Sequence, residues 1–186
     1  MSEDSLLSEK DLAFAAGRGD SAALGEIYNL HIRQLWVVAQ RYLSDDEEIR
    51  DVLQDAFVKI FSSIHHFHYR GRGALVSWMC RVVANQAIDH LRSQGRLKVV
   101  SLVELPDKED VPEPDIIRLT EEELMGLIRA LPDGYRTVFN LVVFERMSQK
   151  EIASLLGIKD GTVSSQFARA KKMLSRLVND YLKEKE

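Results

Sequence analysis

Ile49, Val52, Leu53, Ala56, Phe57, Ile60, Phe61 and Ile64 follow one another at alternating steps of three and one. That spacing puts them all on one side of an α-helix and on no single face of a strand, so the segment is a helix with one buried side. The stretch before it behaves alike: Leu24, Ile27, Tyr28, His31, Leu35, Val38, Ala39 and Tyr42 recur at threes and fours as far as Ser44. Ser44 or Asp45 is then placed to cap the next helix. After the irregular segment 65–73, HHFHYRGRG, the series Leu75, Trp78, Met79, Val82, Val83, Ala87 and Leu91 opens a third helix. Only 10 glycines and 4 prolines punctuate the 186 residues, and the segments between them read at helical spacing, so the expected fold class is all-α. With 45% hydrophobic residues the chain can fill one or two small cores.

Periodicity fails from about Gln94 to Asp115, where Pro106, Pro112 and Pro114 cluster among acids. The expected organisation is therefore two small helical domains, 1–95 and 116–186, joined by a flexible acidic linker, 96–115. Stretched out, a linker of about 20 residues reaches ~70 Å, enough to place two domains on separate stretches of one duplex. The second domain is expected to begin with a continuous helix over Ile116 to Leu131, then another from Tyr135 to Glu145, then two more.

The net charge of −4 hides segregation. Residues 1–57 carry −7 and 101–123 carry −7, whereas 70–98 carry +5 and 146–186 carry +4. Two basic regions separated by acid suit a chain that meets a polyanion at two places, although solvated helix faces would give the same counts. The N-terminus has neither the basic region nor the apolar stretch of a secretory signal, and no run of apolar residues is long enough to insert in a membrane, so a cytoplasmic protein is expected. Cys80 is the only cysteine, which excludes an internal disulfide and reads as a small core residue.

The sharpest local pattern is 148–172, SQKEIASLLGIKDGTVSSQFARAKK. Ile152, Leu156, Ile158, Val163 and Phe167 are the contacts of two short crossed helices, Ala153 lets them approach and Gly157 relieves the turn. This is a helix-turn-helix, its second helix capped by Asp160 or Thr162 and offering Thr162, Ser164, Ser165, Ala168, Arg169 and Lys172 to a major groove. On the helix after the glycines, Arg81, Asn85, Asp89 and Arg92 form one polar face. Arginine and asparagine suit base edges and phosphates, while Phe67, Tyr69 and Trp78 beside them read as a platform for stacking unpaired bases. Core packing of Trp78 and a merely solvated face are the bland alternative. His65, His66 and His68 lack metal-ligand spacing, no nucleotide-binding or nucleophile motif occurs, and neither metal, cofactor nor catalysis is expected.

The motifs 51–61, DVLQDAFVKIF, and 78–92, WMCRVVANQAIDHLR, followed by 131–139, LPDGYRTVF, and the helix-turn-helix, resemble the extracytoplasmic-function (ECF) sigma factors of bacterial RNA polymerase over nearly the whole chain. The resemblance implies a non-enzymatic subunit that binds core RNA polymerase and directs promoter-specific initiation. It implies polymerase contacts at Asp51, Gln54 and Asp55 on the hydrophilic face of their helix. It also implies capture of a flipped minus-ten base by Phe67, His68 and Tyr69, minus-ten contacts at Asn85, Asp89 and Arg92, and minus-thirty-five reading by the helix-turn-helix. Promoter DNA and an anti-sigma factor are the further partners implied. Where this chain has Ser164 and Gln166 the family usually has basic residues. On the residues alone, a free-standing helix-turn-helix regulator and a metal-dependent nucleic-acid enzyme remain open.

Overall fold

The structure is a computed structural model that describes residues 8–97, 112 and 114–185. Among them are eight α-helices, two 3₁₀ turns and no strand, as the patterning demands. The greater part of the expected linker, 98–111 and residue 113, lies outside the described residues. The chain divides into two compact units, Met1–Ala87 and Ile88–Glu186, with the boundary inside the fourth helix.

The first unit opens with α1 (Glu9–Gly17), a helix the periodicity argument passed over because it is short and alanine-rich. Ser8 caps it by accepting from the Asp11 N–H. Next come α2 (Ser21–Gln40), capped by Asp20, and α3 (Asp46–Ser63), capped by Asp45. The stripe read from the sequence is buried: Ile49, Val52, Leu53, Ala56, Phe57, Ile60 and Ile64 are each at most 5% exposed, with Phe61 half-buried at its edge. A 3₁₀ turn, Ile64–His66, leads into the loop before α4 (Ala74–Ser93). On α4 the buried side is Leu75, Met79, Val83, Ala84, Ala87, Ile88 and Leu91. Cys80 is half-buried rather than in the core, because it sits one position round the helix from Met79.

The second unit corrects one expected element. Ile116 to Leu131 is not one helix but a 3₁₀ turn, Ile116–Arg118, followed by α5 (Glu121–Arg129). Thr120 has extended backbone and forms a capping box with Glu123, each side chain accepting from the other's backbone N–H, so a new helix starts there. α6 (Asp133–Val143), α7 (Gln149–Leu156) and α8 (Asp160–Glu184) complete the unit. Tyr135, Phe139, Ile128 and Ala170 form its centre, with Leu124, Phe144, Phe167 and Leu174 packed against them. The Arg136 side chain is buried and donates to the Arg129 carbonyl oxygen at 2.6 Å and to Asp133, tying the end of α5 to the start of α6. Desolvation lowers the pKa of Arg136, and Asp133 opposes it.

The far end of α8 returns to α5. The Tyr181 hydroxyl and the Lys185 ammonium both donate to Glu123 Oε1 at 2.7 Å. Led by the Lys185 hydrogen bond, these contacts and the Thr120 backbone N–H hold the Glu123 carboxyl down to about 2 from 4.5. A folded-state pKa below the unfolded one contributes stability that is complete above pH 4.5 and is lost as pH falls toward 2. Glu123→Gln should therefore lower the melting temperature of the full chain at pH 7, and the gap from the parent should narrow steadily between pH 5 and ~3. Circular dichroism melts across that range check it; a gap independent of pH contradicts it.

Candidate nucleic-acid interface

Burying the α3 stripe turns Asp51, Gln54 and Asp55 outward together, and all three are exposed. Sequence reasoning missed their apolar neighbour: Val58, a turn further on, is 65% exposed. The only signal for it was an apolar residue out of register with the stripe. A half-exposed Tyr28 ring lies 4.6 Å from Phe57, and Phe57 lies 5.6 Å from Phe61. Acidic side chains and exposed apolar surface therefore share this side of the first unit.

The loop between the 3₁₀ turn and α4 is held at both ends. Phe67 N–H donates to the Ile64 carbonyl oxygen at 2.9 Å. At the other end Gly71 and Gly73 take φ of 125° and 81°, values that a side chain would strain. The Gly73 and Leu75 N–H groups donate to the two carboxylate oxygens of Glu9, at 2.6 and 2.7 Å. An acid of α1 thus caps a helix more than sixty residues away. Half-buried His31 has its pKa lowered by desolvation, and the Glu9 charge pulls it back up.

This anchoring gathers four of the expected minus-ten residues. The Phe67 and Trp78 rings stand 5.4 Å apart. With His66, His68, Arg70, Ala74, Ser77 and Arg81 they line a cavity of about 390 Å³, within the ~300–1,000 Å³ of small-ligand sites. Trp78 is half-buried, neither core nor free. Tyr69 is not brought to this cavity; it lines a different groove, against α1. Asn85, Asp89 and Arg92 lie further along α4, Asn85 half-buried and the other two exposed, with Arg92 Nη1 2.8 Å from Asp89 Oδ1.

The helix-turn-helix is α7 and the start of α8. Ser148 and Glu151 form a capping box on α7, and Gly157 ends it with φ 69°. In that left-handed position the Ile158 N–H reaches the Ala153 carbonyl oxygen at 3.0 Å. The cap of α8 differs from expectation. Lys159 occupies the position with no side-chain cap bond, so Asp160 and Thr162 fall inside the first turn. Ser164, Ser165 and Ala168 are exposed; Thr162, Arg169 and Lys172 are half-buried. The Ser164 hydroxyl donates to Gln149 Oε1 at 2.9 Å, joining the two helices. Of the two positions lacking basic residues, only Ser164 is exposed; Gln166 is 7% exposed and faces inward.

Family models match at two places. Sigma-70 region 2 matches residues 27–97 and Sigma-70 region 4 matches residues 121–174. The ECF RNA polymerase sigma factor SigM of Mycobacterium tuberculosis is 30% identical over 171 residues, covering 92% of this chain and 85% of that protein. The RNA polymerase sigma-H factor of Pseudomonas aeruginosa is 28% identical over 188 residues, covering 95% and 96%. The solved structure of CnrH with the cytosolic domain of CnrY is similar at a TM-score of 0.50 and 25% identity, covering 91% of this chain and 96% of that one.

The Glu9 cap sets the cavity, so Glu9→Ala should lower the stability of the full chain by about 1–2 kcal/mol and shift the emission of Trp78. Urea unfolding in a Trp36→Phe background measures both. An unchanged midpoint and unchanged emission contradict it.

Proposed function

This chain belongs to the ECF RNA polymerase sigma factors, and we propose that α3, the aromatic loop with α4, and α7 with α8 divide that family's task among them. As a sigma factor it directs promoter-specific initiation by RNA polymerase and is not itself an enzyme. Asp51, Gln54 and Asp55 dock on a basic surface of core polymerase, with Val58 as the apolar centre of the contact. Their joint exposure on one face of a helix locked by its other side supports this role. Phe67, His68, Trp78 and Arg81 take up a base unstacked from the minus-ten region, and Asn85, Asp89 and Arg92 read its surroundings. The observation that carries this reading is the aromatic and cationic cavity formed by the loop and α4.

The energetics fit a subunit that cannot melt DNA alone. Extruding a base costs a few kcal/mol, and stacking returns about 1–3 kcal/mol per base, so polymerase contacts must tip the balance. Thr162, Ser164, Ser165, Ala168, Arg169 and Lys172 face the minus-thirty-five duplex. With a serine at the exposed position 164 this contact is weak by itself, and tethering through polymerase supplies the effective concentration. CnrH was solved with the cytosolic domain of a second protein, which supports an anti-sigma partner here as well. No helix among the described residues is long and apolar enough to cross a membrane, consistent with action beside cytoplasmic polymerase.

Transcription by core polymerase plus this protein on a randomised fragment library should select promoters with two spaced elements. Asp51→Lys with Asp55→Lys should weaken core binding at least ~10-fold in a fluorescence titration, since like charges brought face to face cost several kcal/mol. At raised salt, where long-range phosphate attraction is screened, the duplex affinity of the free protein should stay unchanged. Absence of selective initiation, or full-strength core binding by the charge-reversed variant, overturns the assignment.

A further inference from the structure

The two exposed hydroxyls at the start of α8 have each already placed their proton. Ser164 donates to Gln149 Oε1 on the neighbouring helix at 2.9 Å, and Ser165 donates to the Thr162 carbonyl oxygen at 3.0 Å. A serine hydroxyl has one proton to give and two lone pairs to receive with. Both side chains therefore face solvent as acceptors.

For Ser164 the restriction comes from another helix. Gln149 is the first residue of α7 and is exposed like Ser164. Turning the Ser164 proton toward a base would leave Gln149 Oε1 without its donor in a contact from which the duplex displaces water. An acceptor stranded there costs more than the new bond returns. The next side chain able to donate, Gln166, faces inward at 7% exposed and does not substitute.

Bases differ in what they offer an acceptor. In the major groove adenine presents its N6 amino group and cytosine its N4 amino group, whereas guanine and thymine present N7, O6 and O4 as acceptors. An unconstrained serine serves either kind, because its hydroxyl rotates to suit. A serine whose proton is held elsewhere discriminates. We propose that Gln149 is a specificity-determining positioning residue: by holding the Ser164 proton, it makes Ser164 select adenine or cytosine over guanine or thymine on the strand it faces in the minus-thirty-five element. The inference deepens the reading of α8 as the duplex-facing helix and rests on it.

The test uses holoenzymes carrying the parent protein, Ser164→Ala, Gln149→Ala, Gln149→Glu or Arg169→Ala, each selecting promoters from a library randomised across the minus-thirty-five element. The base pair at which Ser164→Ala loses its preference is the one Ser164 reads. There the parent should favour adenine or cytosine on one strand by about 3- to 10-fold, the worth of one net hydrogen bond. Gln149→Ala should erase that ratio and leave the other base pairs as they were. Gln149→Glu, whose carboxylate still accepts the proton, should keep the ratio while its charge weakens binding to all sequences. A base analogue lacking only the amino group at that position should cost the parent the same factor and Ser164→Ala nothing. The inference is refuted if Ser164→Ala or Gln149→Ala leaves every preference intact, or if the parent sorts that base pair by purine against pyrimidine or by A·T against G·C. In those cases an element altered by Arg169→Ala keeps the reading of α8. If no variant alters the selected element, both fall.

Discussion

The buried stripe of α3 is the constraint from which the first unit takes its form. With Ile49, Val52, Leu53, Ala56, Phe57 and Ile60 withdrawn from water, the rotation of the helix about its axis is set, and burying each of the larger of these side chains contributes about 1.5–3 kcal/mol. Asp51, Gln54 and Asp55 are outward because those others are inward. The same helix is followed at once by Ile64, itself buried, so the aromatic loop begins from a fixed point. Glu9 then fixes the other end by taking the free N–H groups at the start of α4. The cavity at Phe67 and Trp78 is therefore built on a loop pinned at both ends, a rigidity that suits the proposed capture of an unstacked base.

Much of this was readable in the sequence, for identifiable reasons. The all-α class, the α3 stripe and the helix-turn-helix rest on spacing, and spacing survives folding. The sigma-factor family was legible too, because its motifs stand in order along the chain. What escaped was long-range or local in character. The partnership of Glu9 with Gly73 and Leu75 joins residues far apart in the chain, and no periodicity announces it. The break before α5 turns on Thr120 and Glu123, a capping pair lying inside a run that otherwise reads as one helix. Lys159 at the start of α8 displaced the expected caps Asp160 and Thr162, because the turn geometry set by Gly157 decides where the helix begins.

The inward side chain of Gln166 changes the meaning of the exposed face of α8. At 7% exposure Gln166 offers little surface to a ligand, so the loss of cationic character on the exposed face reduces to Ser164. That hydroxyl is engaged with Gln149, which stiffens the helix pair. In the proposed reading, duplex recognition by this element relies on Arg169, Lys172 and the start of α8, a modest set of contacts. That reading places the burden of affinity on polymerase and leaves the DNA elements to supply choice of site.

The central claim is that the pinned aromatic cavity opens promoter DNA. Permanganate oxidation of unpaired thymines in the minus-ten region tests it most directly, with holoenzymes carrying the parent protein, Phe67→Ala or Trp78→Ala compared at equal occupancy. The account expects both variants to bind the promoter yet leave these thymines protected as duplex. Thymines as reactive as with the parent protein would contradict it.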